Sequence, residues 1–96
     1  VIGAMPAHAW LINVARGSLV DEKALITALQ NKQIAGAALD VFAEEPQVPE
    51  ALLALDNVVL QPHVGSATHE TRQHMGDVVF ANLDAFFHQR PLPNGL

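Results

Sequence analysis

The chain has 96 residues, half of them apolar, with five Lys+Arg against ten Asp+Glu for a formal net charge of −5, and it has no cysteine. That balance offers no basic patch for nucleic acid or for an anionic membrane surface, and without thiols there is neither a disulfide framework nor a thiolate metal site. No apolar run approaches the roughly 18 residues of a membrane-spanning helix and no signal-peptide pattern opens the chain, so a reducing, cytoplasmic location is the expectation.

Val1–Ala9 reads as the end of a helix limited by Pro6. Trp10–Val14 is short, apolar and β-rich, which predicts a buried strand. Ala15-Arg16-Gly17-Ser18 forms a turn, and Asp21 N-caps a helix with Glu22 in its first turn, Leu25, Ile26 and Leu29 on its apolar stripe, and Lys32 near its C-terminus. Ile34–Phe42 is a second strand, nearly continuous in apolar character as in a sheet covered on both faces, and Ala35-Gly36-Ala37-Ala38 lets a neighbour approach closely. Ala43–Asn57 is a loop punctuated by Pro46 and Pro49, with a helical turn that has Pro49 at its first position. Val58–Gln61 is a third strand, ended by Pro62. Thr68 to about Gln89 reads as one long helix with Met75, Val78, Val79, Leu83, Phe86 and Phe87 on one face. Asn82 interrupts that face with a polar group that needs a partner, and an extended tail follows from Arg90. Strand–helix–strand–loop–strand–helix with buried strands is an α/β arrangement, the latter half of a doubly wound parallel sheet.

Arg16 lies just past the C-terminal tip of the first strand, the edge at which open α/β sheets bind ligands; taken alone it reads equally as a solvated loop arginine. His63 follows the third strand, and alone it is more simply a loop histidine satisfied by a carbonyl. Glu45, beside Glu44, is alone more simply a solvated acid, and Asp40 a strand-end turn former. His69-Glu70 with His74 misses the zinc-binding H-E-x-x-H spacing by one residue. Positions five apart lie about 140° apart around a helix, so no metal is expected. No G-x-S-x-G frames Ser18 or Ser66, and neither G-x-G-x-x-G nor a phosphate-binding P-loop occurs among the six glycines.

Three ordered segments, Leu11–Leu25 (LINVARGSLVDEKAL), Gly36–Pro46 (GAALDVFAEEP) and Val58–Thr68 (VVLQPHVGSAT), closely resemble the signatures of the D-isomer-specific 2-hydroxyacid dehydrogenases. The resemblance covers nearly the whole chain and looks closest to the glyoxylate/hydroxypyruvate reductase branch. It implies the C-terminal half of a Rossmann-like NAD(P)-binding domain over residues 1–66, with a long helix and tail over 67–96 returning toward a substrate domain. The substrate domain and the dinucleotide fingerprint would lie upstream, so residues 1–96 alone are expected to be inactive. It further implies hydride transfer from NAD or NADP in reduced form to a small 2-keto acid, in a homodimeric parent enzyme. Such chemistry needs a cation for the substrate carboxylate, a proton donor for the carbonyl oxygen and a carboxylate favouring the charged donor. By resemblance these are Arg16, His63 and Glu45. Asp40 would contact the nicotinamide side of the cofactor, with backbone contacts from Val14 and Ala15 and close approach at Gly65 and Ser66.

Two rival classes stand beside this reading. One is a non-catalytic dinucleotide-sensing or protein-interaction module on the same scaffold, binding a dinucleotide without turnover. The other is a packing or oligomer-forming piece whose open sheet edge and helix stripe find another chain. The Arg16–Glu45–His63 set argues against both, because binding alone does not need a histidine–carboxylate pair.

Overall fold

A computed structural model describes all residues 1–96. The chain falls into two compact units, Val1–Gly65 and Ser66–Leu96. The first holds a three-stranded parallel sheet in the order β1 (Trp10–Asn13), β2 (Gly36–Leu39), β3 (Val58–Leu60). Trp10 is opposite Gly36 across the first pair, and Ala37 is opposite Val58 across the second. This is the predicted α/β architecture with all three strands parallel. Each strand is shorter than its apolar run, although the Asp40 and Gln61 N–H groups still donate to the Asn13 and Leu39 carbonyls of the neighbouring strands. Trp10, Ile12 and Val59 are exposed, so β1 and β3 are not the buried strands expected.

Helix α1 (Glu22–Gln30) connects β1 to β2, and Asp21 caps it by accepting from the Ala24 N–H at 3.0 Å. Its stripe is one side of the core. Leu25, Ala28 and Leu29 pack with Ile34, Ala37, Leu39 and Phe42, and with Leu52 from the short helix α2 (Glu50–Leu53). Burying a leucine of this kind contributes roughly 1.5–3 kcal/mol. Lys32 lies just past the end of α1, near its C-terminus as expected, in a left-handed conformation, φ 54°. One local expectation shifts by a residue. Pro49 is the N-cap of α2 and not its first residue, because its ψ of 131° is extended. The opening segment is a single 3-10 turn, Ile2–Ala4, ahead of Pro6.

The second unit is helix α3 (His69–Phe87) and its tail. Thr68 caps α3 by accepting from the Thr71 N–H at 3.1 Å. The stripe expected to be buried is mostly in the open: Met75, Val79, Leu83, Phe86 and Phe87 are exposed, and Ala85 is the buried residue of the helix. Asn82 finds its partner in the tail. Its Nδ2 donates to Asn94 Oδ1 at 2.9 Å and also to the Val78 carbonyl, while the Asn94 N–H donates back to Asn82 Oδ1 at 3.3 Å. This two-way clip folds the tail onto the helix, with Leu92 beside Val78, Leu83 and Phe86. His88 and Arg90 both pair with Asp84. His69 and His74 are exposed, and no cluster of three or more His, Asp or Glu side chains is arranged to hold a metal ion.

Candidate active site

The loops leaving the C-terminal ends of β1, β2 and β3 carry the candidate residues, and each loop is held by a polar side chain near a strand end. After β1, the buried Asn13 accepts from the Ala15 N–H at 3.1 Å and donates to the Arg16 carbonyl at 2.9 Å. Its side chain thereby closes the turn and leaves the Arg16 guanidinium exposed at the sheet edge. Gly17 then begins a 3-10 turn directly against the next loop. A Cβ built there would lie 2.1 Å from the Phe42 carbonyl carbon and oxygen. Only glycine lets the Arg16 turn seat on the Phe42–Ala43 peptide.

After β2, the chain runs through Asp40, Val41 and Phe42 into the loop that carries Glu45. Glu45 Oε1 accepts from the Phe42 N–H at 3.1 Å, and Oε2 meets His63 Nδ1 at 2.7 Å. An ionised carboxylate only accepts, so Nδ1 carries the hydrogen and Nε2 is left free for chemistry. His63 and the Phe42 N–H hold the Glu45 carboxyl below its ordinary value, with smaller help from the His63 and Arg16 charges and against a partial desolvation. The Glu45–Pro46 peptide is cis.

After β3, His63 adopts a left-handed backbone, φ 56°, uncommon for a residue with a side chain. That conformation turns the next two amides inward onto Asp40. Its Oδ1 accepts from the Val64 N–H at 2.8 Å and its Oδ2 from the Gly65 N–H at 2.9 Å. Successive amides wrapped around a carboxylate form an anion-binding nest, and a Cβ on Gly65 would press to 3.0 Å from Asp40 Oδ2. The Asp40 carboxyl is accordingly held below its ordinary value, by Val64 first and then, against burial, by Gly65 and the His63 charge.

Structure and expectation meet as follows. Glu45 and His63 are in direct contact, and the Arg16 turn docks on the loop that carries Glu45. Val14 and Asp40 line a cavity of about 110 Å³ with Ala38, Val59 and Gln61 at the sheet's C-terminal edge. A larger cavity of about 280 Å³, lined by Phe42, Val48, Leu53, Leu60 and Pro62, reaches Glu45 and His63. Ser66 belongs to the second unit and is half-buried. Asn13 and Glu22 were not anticipated as part of the site. Their role is visible only through hydrogen bonds to backbone beyond their own element, although a polar residue closing an apolar strand is a signal for Asn13.

The model of the D-isomer specific 2-hydroxyacid dehydrogenase NAD-binding domain matches residues 1–65. A hydroxyphenylpyruvate reductase from Plectranthus scutellarioides is 53% identical over 92 residues, 96% of this chain and 29% of that protein. A glyoxylate reductase from Pyrococcus furiosus is 58% identical over 82 residues, 85% of this chain and 24% of that protein. Among solved structures, an NADPH-dependent glyoxylate/hydroxypyruvate reductase from Sinorhizobium meliloti, in complex with NADP and malonate, superposes with a TM-score of 0.82 at 59% identity, covering 90% of this chain and 27% of that one. The chain thus spans under a third of the length of these relatives. The matched domain, the parallel Rossmann-like sheet and the identities together establish that the chain belongs to the D-isomer-specific 2-hydroxyacid dehydrogenase family.

Proposed function

We propose that this chain supplies the catalytic edge of an NAD(P)H-dependent reductase that converts a small 2-keto acid, of the glyoxylate or hydroxypyruvate kind, to the D-2-hydroxy acid. In this reading residues 1–66 complete the dinucleotide domain, residues 67–96 lead back to the substrate domain, and the full-length enzyme works in the cytoplasm as a homodimer. The observation that carries it is the 2.7 Å contact between His63 Nδ1 and Glu45, which leaves Nε2 as a directed proton donor at the sheet edge.

The cofactor, when bound, supplies the hydride. Arg16 grips the substrate carboxylate through its planar fork: Nη1 donates one hydrogen to the Ala15 carbonyl at 2.6 Å, and the exposed remainder of the guanidinium faces the anion. That anchor sets the keto group against His63. Nε2–H donates to the carbonyl oxygen, so that the developing alkoxide takes a proton and does not build a free charge. The Glu45 carboxylate stabilises the imidazolium until the proton leaves, and it fixes the ring by its hold on Nδ1. Asp40 sets the backbone on which His63 rides, and Val14 and Ala15 bound the nicotinamide side, with Gly65 and Ser66 beyond the histidine. An apolar cavity lies beside the pair.

The test is a pair of substitutions in the full-length enzyme, assayed with glyoxylate and hydroxypyruvate. His63→Ala lowers the rate by roughly 10²–10⁴-fold, the range for loss of a general acid. Glu45→Gln removes the charge at nearly constant shape, so the alkaline limb of kcat/KM for reduction moves to lower pH. An alkaline limb left in place would return Glu45 to the role of a loop acid. Dinucleotide binding with no turnover in the unsubstituted protein would favour the sensing module instead.

A further inference from the structure

Glu22 is absorbed by nothing in this mechanism. It begins α1, and a first-turn acid needs no further account there than the positive end of the helix dipole. Yet its side chain leaves the helix and crosses to the next loop, where Oε2 accepts from the Ala43 N–H at 3.1 Å, 21 residues away. The neighbouring amide, that of Phe42, is the one taken by Glu45 Oε1. Two consecutive amides of this loop are therefore each held by a carboxylate, one from the helix and one from the loop itself. The peptide between them, Phe42–Ala43, is the one on which Gly17 rests. We propose that Glu22 is a positioning residue for the Glu45–His63 pair: it clamps the loop from α1 so that Glu45 presents Oε2 to His63.

The argument is one of constraint. Glu45 and Ala43 are exposed, and the 43–47 loop has no buried side chain to hold it. Its fixed points are backbone hydrogen bonds and the Gly17 contact. Freeing Ala43 releases the chain that follows the buried Phe42, so the loop no longer holds Glu45 Oε1 against the Phe42 N–H. Glu45 then loses one of the two contacts that define its rotamer. The charged groups facing the pair are Asp40 from the end of β2, which senses the His63 charge, and Arg16 from the loop after β1, whose charge helps to lower Glu45. Neither is altered when Glu22 is replaced, and Glu22→Gln, which removes the charge but keeps an acceptor, separates the clamp from the charge of Glu22 itself.

The inference rests on the proposed reductase reading but is tested apart from it. In the full-length protein, Glu22→Ala lowers kcat about tenfold with little change in KM, the size expected when a reacting group is misplaced by a fraction of an ångström. It also moves the alkaline limb of kcat/KM toward that of Glu45→Gln. Glu22→Gln retains an oxygen to accept the Ala43 N–H and restores both. Independently of turnover, the His63 ring signals followed by NMR titrate at lower pH in Glu22→Ala than in the unsubstituted protein or in Glu22→Gln. If Glu22→Ala lowers the melting temperature but leaves the ring titration and the alkaline limb unmoved, Glu22 is only a helix-terminal acid and the proposal falls. It falls equally if Glu22→Gln behaves as Glu22→Ala, because the charge and not the clamp is then responsible. A protein with no reductase activity whose ring titration still responds to Glu22→Ala would overturn the functional reading and leave the clamp standing.

Discussion

Replacing Gly17 by alanine probes the seam between the loop that carries Arg16 and the loop that carries Glu45. A Cβ at this position would stand 2.1 Å from the Phe42 carbonyl carbon and oxygen and 2.5 Å from the Ala43 nitrogen, where real Cβ atoms keep at least 3.0 Å. The gap must open by 3.0 − 2.1 = 0.9 Å at minimum. All three clashing atoms are backbone, so no side chain can swing aside to absorb it. The Arg16 turn therefore backs away from the Glu45 loop by roughly 1 Å, a displacement of the size that costs on the order of 10²-fold in rate when it separates groups acting on one substrate. Expressed as lost transition-state stabilisation, that is about 2.7 kcal/mol. The overpacking itself destabilises the fold by typically 1–3 kcal/mol, so activity is to be measured well below the melting temperature, with the folded fraction checked by circular dichroism. The expected result in the full-length enzyme is a kcat/KM for glyoxylate reduced about 10²-fold, with folded protein still in hand. A Gly17→Ala enzyme with unchanged kcat/KM would refute the idea that the two loops are seated on one another.

Arg16→Lys keeps the charge but not the fork, and an ammonium cannot pair bidentately with a carboxylate; both KM and kcat should worsen in steady-state assays, whereas an unchanged kcat/KM removes Arg16 from the site. Stability should also fall in acid. Glu45 and Asp40 both have folded-state values below their ordinary 4.5 and 3.8, so their contribution is complete above those ordinary values and is lost as pH drops through the lowered ones. Urea unfolding midpoints should decline below about pH 4.5, and Asp40→Asn should weaken that dependence.

Much of this architecture is legible in the residues because it is local. The three apolar runs became the three strands, in order, and Asp21 and Thr68 cap the helices that their positions announce. What was not legible depends on distance along the chain. Asp40 resembles a turn former, yet it serves amides 24 and 25 residues on, and Glu22 resembles a helix-terminal acid, yet it serves one 21 residues on. No periodicity encodes such bonds, since they arise only once β2, β3 and α1 are side by side. The apolar face of α3 marks a different limit: the spacing of Met75, Val79, Leu83 and Phe86 showed which residues share a side, but not that this side stays exposed within residues 1–96. Asn82 interrupted the stripe for a reason that lay in the tail.

That clip between Asn82 and Asn94 bears on the chemical lifetime of the polypeptide. Asn94-Gly95 is the dipeptide most prone to spontaneous deamidation, because an unhindered glycine amide attacks the asparagine carboxamide to close a succinimide. Here the carboxamide oxygen of Asn94 accepts from Asn82, the Asn94 amide is anchored to Asn82 as well, and the Gly95 amide donates to the Leu92 carbonyl at 3.3 Å. Nucleophile and electrophile are each tethered elsewhere, which retards ring closure. Once succinimide formation does occur, hydrolysis leaves an aspartate or isoaspartate, which puts a negative charge where the Asn94 carboxamide met Asn82. Deamidation of Asn94 is thus slow while residues 90–96 lie on α3 and faster once that contact frays.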